Sequence, residues 1–201
     1  MDHPRERDRG LISNIKQGLI AIPGKEFSGK DFSGVTFVGL DLHGCDFSNC
    51  DFRDSDLRYA DLSNCSFRES DLHGANLEGA NLSSCDFGGA DLVGVNLSGA
   101  DLKYANLSQT NLTGAHLVEA CLEGASLYGT LLCRADLRYV SLTDAEVVDS
   151  DFGGAKIDQS AYSSCKLFRE VTICDQPVIP FNYSKKALEK IKEKIYTSGW
   201  A

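Results

Sequence analysis

The chain has 201 residues, of which 42% are hydrophobic, and carries a formal net charge of −9. That length fits a single domain, and the acidic balance excludes the basic footprint that direct nucleic-acid binding requires. The apolar residues are spread evenly, so no segment approaches the ~20 consecutive apolar residues of a membrane span.

Residues 1–24 form a tail and a short capping element. Met1 to Gly10 is charged and lacks the apolar core and cleavage site of a secretory signal, so a cytoplasmic location is expected. Leu11, Ile12, Ile15, Leu19 and Ile22 then recur at near-helical spacing until Pro23-Gly24 stops the segment.

Residues 25–170 follow one rule. Every fifth residue from Phe27 to Leu167, 29 in a row, is large and apolar: 18 Leu, eight Phe, and Val147, Ile157 and Tyr162. A period of five matches neither the helix nor the strand. It describes a chain that turns a corner every few residues and sends one side chain inward each time. Such a residue is buried only against copies of itself, which predicts a stacked solenoid.

The other positions agree. Two residues before each centre, all 25 positions from Cys45 to Cys165 are Ala, Cys, Ser, Thr or Val, small enough to share the axis. Directly before the centre, 17 of 29 are Asp or Asn, and two after it 13 of 29 are Gly, which suits a corner needing positive φ. Runs such as Ala75-Asn76-Leu77 and Ala100-Asp101-Leu102 resemble the A(D/N)LXX consensus of the pentapeptide-repeat family over about 146 residues. The resemblance implies an all-β solenoid, a right-handed quadrilateral β-helix with four repeats per coil and short terminal capping helices. Independent hints of a period of 20 are the series Phe27, Phe47, Phe67, Phe87, the series Cys45, Cys65, Cys85, and an all-Leu series from Leu42 to Leu142. About seven coils at ~4.8 Å spacing predict a rod roughly 34 Å long.

Residues 171–201 leave the pattern. Pro177 and Pro180 mark a loop, and Ser184 caps a predicted amphipathic helix from Lys185 to Tyr196, with Leu188, Ile191 and Ile195 on one face and five lysines on the rest. The two terminal helices either lid the rod or pair it, so a monomer and a dimer are both compatible with the sequence.

Between Lys25 and Glu170 the chain holds 23 acidic and 11 basic residues, a net of −12, against +3 for the flanks. With 20 residues per coil, Asp31, Asp51, Asp71 and Asp91 form one ladder, and Asp41, Asp61 and Asp101 form another with Asn81 between them. Stacked carboxylates repel, and raised pKa values are expected unless cations or hydrogen bonds relieve them. Free exchange of Asp and Asn at the position points instead to local bonds with the turn backbone. Arg58-Tyr59 and Arg138-Tyr139 fall on one face four coils apart, and are read either as interface anchors or as tyrosines packed over the corner beneath them.

Catalysis is not expected. No loop interrupts residues 27–167 to wall a cleft, His43, His73 and His116 fall on different faces or coils, and no nucleophile–base pair, phosphate loop or metal triad is legible. No cofactor or metal is implied, and the five inward cysteines read as reduced, compact hydrophobes. Outward Thr is too sparse for an ice-binding ladder. The acidic faces predict a protein partner with a basic surface, and hence a rigid interaction scaffold in regulation or signalling. The resemblance supplies one alternative, a DNA-mimicking modulator of a type II topoisomerase (gyrase). That subgroup usually carries loops and a dimerising helix, and this chain lacks the loops.

Overall fold

The computed structural model describes Gly10, Ser13, Ile15, residues 22–158, Ala161, residues 164–169 and Val171. Within them the backbone climbs one rung for every twenty residues. Parallel bridges link Glu26 to Asp46, Asp31 to Asp51, Thr36 to Asp56 and Asp41 to Asp61, and each column continues at the same offset. Four quintets therefore close one turn of a parallel β-helix with four sides. Most sides contribute a single bridged residue before the next corner. Only towards the C-terminal end do they lengthen into strands: β1 (Ser126–Tyr128), β2 (Asp136–Leu137), β3 (Glu146–Val148), β4 (Lys156–Ile157) and β5 (Leu167–Arg169).

Each corner is a turn, and at most of them the amide three residues after the centre donates to the centre's carbonyl, as in Lys30 N to Phe27 O at 3.2 Å and Ala75 N to Leu72 O at 3.0 Å. Its third residue is left-handed at every fifth position from Gly24 to Gly154. Thirteen of these are not glycine, and they include Tyr59, Glu69, Tyr104 and Arg134. The coils are sewn together by amides on alternate sides of the rung: Phe47 N reaches Ser66 O at 2.7 Å, while Asp46 N reaches back to Lys25 O at 2.9 Å.

The centres from Phe27 to Ile157 are all buried. Phe27, Phe47, Phe67 and Phe87 stack with ring centroids 5.3, 5.3 and 5.1 Å apart, and Phe32 stacks on Phe52 at 5.0 Å. The small positions fill the space left between the large ones. Several of their polar atoms bond to the carbonyl of a centre in the preceding coil: Cys65 Sγ to Leu42 O at 3.1 Å, Cys85 Sγ to Leu62 O at 2.9 Å and Thr130 Oγ1 to Leu107 O at 2.8 Å. Burial pushes the Cys65 thiol up to about 12 and also raises Cys45 and Cys85, which favours the neutral thiol.

The ends depart from the sequence reading. β3 pairs with β5 as Glu146–Leu167, Val147–Phe168 and Val148–Arg169, one residue beyond the regular offset. The unbroken register expected as far as Leu167 is thus corrected: an extra residue enters between Ile157 and Phe168, and Phe168 lies beside Val147. Cys165, expected at a fully inward position, is only half-buried. At the other end Ile15 and Ile22 are buried against the core. The rest of the expected N-terminal capping helix, and the predicted C-terminal helix, lie outside the described residues. Among the described residues no helix is long and apolar enough to cross a membrane.

Candidate functional site

The outward residue directly before each centre does two jobs. It is the bridged residue of its rung, and where it is Asp or Asn its side-chain oxygen accepts the amide two residues on. Asp31 Oδ1 accepts Ser33 N at 2.9 Å, Asp61 accepts Ser63 N at 3.0 Å, Asp71 accepts His73 N at 3.0 Å, Asp91 accepts Val93 N at 3.0 Å and Asp101 accepts Lys103 N at 3.1 Å. Asn76, Asn81 and Asn96 make the same bond at 3.1–3.2 Å. Aspartate and asparagine are interchangeable here because both present a carbonyl-type oxygen to the turn.

The two expected ladders are in register. Asp31, Asp51, Asp71 and Asp91 occupy consecutive rungs of one column, and Asp41, Asp61, Asn81 and Asp101 those of another. The columns differ in how charge is relieved. In the second, Asn81 Nδ2 donates to Asp61 Oδ1 at 3.0 Å, and elsewhere Asn106 donates to Asp86 at 2.8 Å. In the first, no amide side chain intervenes before Asn111. Instead, Arg53 reaches Asp51 and stands 3.4 Å from Asp71. The first column is the longest run of consecutive acidic rungs on the rod. At Asp41 the hydrogen bond with the His43 side chain holds the carboxyl below its ordinary range, the relief by hydrogen bonding that the sequence reading allowed for.

The two Arg-Tyr pairs share a construction. Arg58 forks onto Asp56 with both contacts at 2.8 Å, and Arg138 forks onto Asp136 in the same way. Lys156 stands 3.8 Å from Asp136 as well. The guanidinium charges are therefore balanced within their own rungs. Tyr59 and Tyr139 sit at left-handed corners and are 60% and 71% exposed. The Tyr59 ring lies over the next coil's corner, where a Cβ on Gly79 would come within 2.7 Å of it, and Tyr104 covers Gly124 likewise. Tyr59 and Tyr104 thus pack on the corners beneath them.

The structure also gathers residues the sequence kept apart. Asp41, His43 and Asp61 bring ligand-type atoms within 4.8 Å of one another, with His43 Nδ1 2.6 Å from Asp41 Oδ1. The donors suit a divalent ion in kind, but they stand on an open face, and Asp61 already accepts bonds from Ser63 and Asn81. The signal was present in the i, i+2 and i, i+20 spacings. Also passed over were Leu131 and Tyr128, 45% and 50% exposed, the first an aliphatic residue on a rung where polar groups are the rule.

Residues 40–117 match the family model described as pentapeptide repeat region, and residues 115–154 match that of pentapeptide repeats (8 copies), so the two together span more than half of the chain. No curated protein matches the sequence. Among solved structures, the chain is 24% identical to HetL, a pentapeptide repeat protein involved in heterocyst differentiation regulation from the cyanobacterium Nostoc sp. strain PCC 7120, over 81% of this chain and 78% of that one, with a TM-score of 0.42. It is 19% identical to full-length QnrB1, a plasmid-mediated fluoroquinolone resistance protein, over 77% and 86%, with a TM-score of 0.34. It is 31% identical to a pentapeptide repeat protein of the Arabidopsis thaliana thylakoid lumen, over 65% and 68%, with a TM-score of 0.22. The repeat matches imply a right-handed quadrilateral β-helix, and the four bridge columns supply its four sides.

Proposed function

The chain belongs to the pentapeptide repeat family, and from the geometry of its faces we propose that it is a non-catalytic interaction scaffold of the cytoplasm, a rigid rod that presents acidic faces to a basic protein partner. The observation that carries this reading is the column Asp31, Asp51, Asp71, Asp91, four carboxylates on consecutive rungs at roughly 5 Å spacing. A fixed row of like charges steers a basic partner and raises its on-rate. The second column, Asp41, Asp61 and Asp101, is interrupted by Asn81 and serves as a weaker face. The corners from Gly24 to Gly154 follow one another without an inserted loop, so the faces stay flat and suit a broad partner surface better than a small substrate. Terminal segments at either end would set whether one rod or two are presented.

The test replaces Asp31, Asp51, Asp71 and Asp91 together by Asn. Asparagine keeps the turn bond, so the melting temperature stays near wild type while a partner recovered from host extract by the wild-type protein is lost. Unchanged recovery at low salt overturns the reading.

A second reading, a DNA-mimicking modulator of a type II topoisomerase, draws on the same column of charges. It predicts inhibition of purified gyrase in a supercoiling assay, or protection from its drugs, and absence of both at excess protein removes it.

A further inference from the structure

Leu131 breaks the rule its column obeys. Asn111 on the rung before it accepts Thr113 N at 3.2 Å, and Asp151 on the rung after it accepts Gly153 N at 2.8 Å. A leucine side chain has no oxygen with which to hold its own turn. It gives up that stabilising bond and leaves a large aliphatic group 45% exposed on an otherwise polar column. Where a local rule is broken without a gain in packing, a functional reason is expected.

Tyr128 stands across the Gly129 corner from Leu131 and is 50% exposed. Unlike Tyr59 and Tyr104, it is not a left-handed corner residue laid over a glycine. It belongs to β1 and lies beside Val148 of β3, itself half-buried. Cys133, two residues past Leu131 on the same side, is half-buried too. Leu131, Tyr128, Val148 and Cys133 thus make a small apolar ridge about a corner that glycine keeps low. Charge rims it: Asp151 stands one rung beyond Leu131, Asp149 one rung above Gly129, and Asp91 two rungs below, roughly 10 Å away. Arg134 occupies the opposite corner of that side, and Arg169 follows Val148 on the next rung.

An apolar centre with an aromatic member, bordered by charged groups and standing on the same column as Asp31, Asp51, Asp71 and Asp91, has the anatomy of a protein-binding hot spot on a rigid support. We propose that the Tyr128–Leu131 corner is the anchoring point of the scaffold's partner, and that it receives a segment carrying a large apolar side chain flanked by lysine or arginine. The proposal rests on the scaffold reading above and adds what the acidic column lacks, a determinant that tells one basic partner from another.

The experiment titrates isotope-labelled protein with two synthetic peptides, followed by amide and methyl NMR. One has a Leu-Trp pair between two Lys-Lys pairs, and the other replaces that pair by Gly-Ser. Wild type is expected to prefer the Leu-Trp peptide about tenfold, with shifts centred on residues 128, 131 and 148. Leu131→Asn, which restores the turn acceptor and so should melt at or above wild type, is expected to erase the preference and keep the weak, salt-sensitive binding common to both. The fourfold Asp-to-Asn variant is expected to weaken both peptides. If wild type shows no preference, or Leu131→Asn retains it, the anchor is overturned while the acidic-face reading stands. If the fourfold variant binds both peptides like wild type, the acidic-face reading fails instead. A concentration-dependent wild-type dimer dispersed by Leu131→Asn would assign the corner to self-association and overturn the proposal.

Discussion

Alanine at Gly79 and at Gly99 separates two roles of glycine at the corners. Both residues are left-handed, with φ of 63° and 66°. An added Cβ at either site meets the left-handed penalty, about 1 kcal/mol. At Gly99 nothing lies within 4 Å of that Cβ, so the penalty is the whole effect. At Gly79 the Cβ would stand 2.7 Å from Cδ1 and Cε1 of Tyr59, and the ring must swing off the corner into solvent. Losing that contact adds roughly 0.5–1 kcal/mol, the scale of a modest aromatic contact. Gly79→Ala should therefore destabilise by about 2 kcal/mol and Gly99→Ala by about 1 kcal/mol. In a Tyr59→Ser background the Gly79 change should fall to the Gly99 value, a coupling of up to about 1 kcal/mol. Guanidinium denaturation at equilibrium reads all five proteins. Equal costs at the two glycines, with no coupling to Tyr59, would refute the ring-over-corner packing.

Three further outcomes are expected. Leu102→Asp should abolish the cooperative thermal transition seen by circular dichroism, because it removes a burial worth roughly 2 kcal/mol from a fully buried centre and strands a charge on the axis. Ser55 is buried, and its hydroxyl has no partner among the described residues, so Ser55→Ala should raise stability by about 1 kcal/mol in a denaturant melt. The Arg138 side chain holds the Asp136 carboxyl below its ordinary range, so its contribution is present above the unfolded value near 3.9 and is lost as pH falls through the folded value. Asp136→Asn should accordingly be less stable than wild type at neutral pH and lose less on acidification between about pH 5 and 2, read from melts across that range.

The fold was legible where one side chain serves one column. The centres from Phe27 to Ile157 are buried because each can be covered only by its counterpart one coil away, and that requirement is written as a strict beat of five. The corners were legible only in part. Gly and Asn announce a left-handed residue, whereas Tyr59, Glu69 and Arg134 adopt it because the coil above and below over-determines the backbone. The slip before β5 was hidden because Leu167 keeps the beat in the sequence while Phe168 takes the place beside Val147. The Asp56–Arg58 and Asp136–Arg138 forks follow from residues two apart on one rung and recur as Asp-Leu-Arg-Tyr in both places. The grouping of Asp41, His43 and Asp61 needs contact across a coil, which a linear reading registers only once the period of twenty is applied. Leu131 was visible all along as the aliphatic residue on a polar rung, but its place in an inward-looking pattern of leucines concealed it.

The sharpest trial of the account compares its two acidic columns. Binding of a fluorescein-labelled ten-lysine peptide is followed by anisotropy, in low and physiological salt, for wild type, for Asp31, Asp51, Asp71 and Asp91 changed to Asn, and for Asp41, Asp61 and Asp101 changed to Asn. The first set should lose most of the affinity and most of its salt dependence, and the second should stay close to wild type. Equal losses from the two sets, or none from the first, would contradict a partner face built on the longest run of carboxylates.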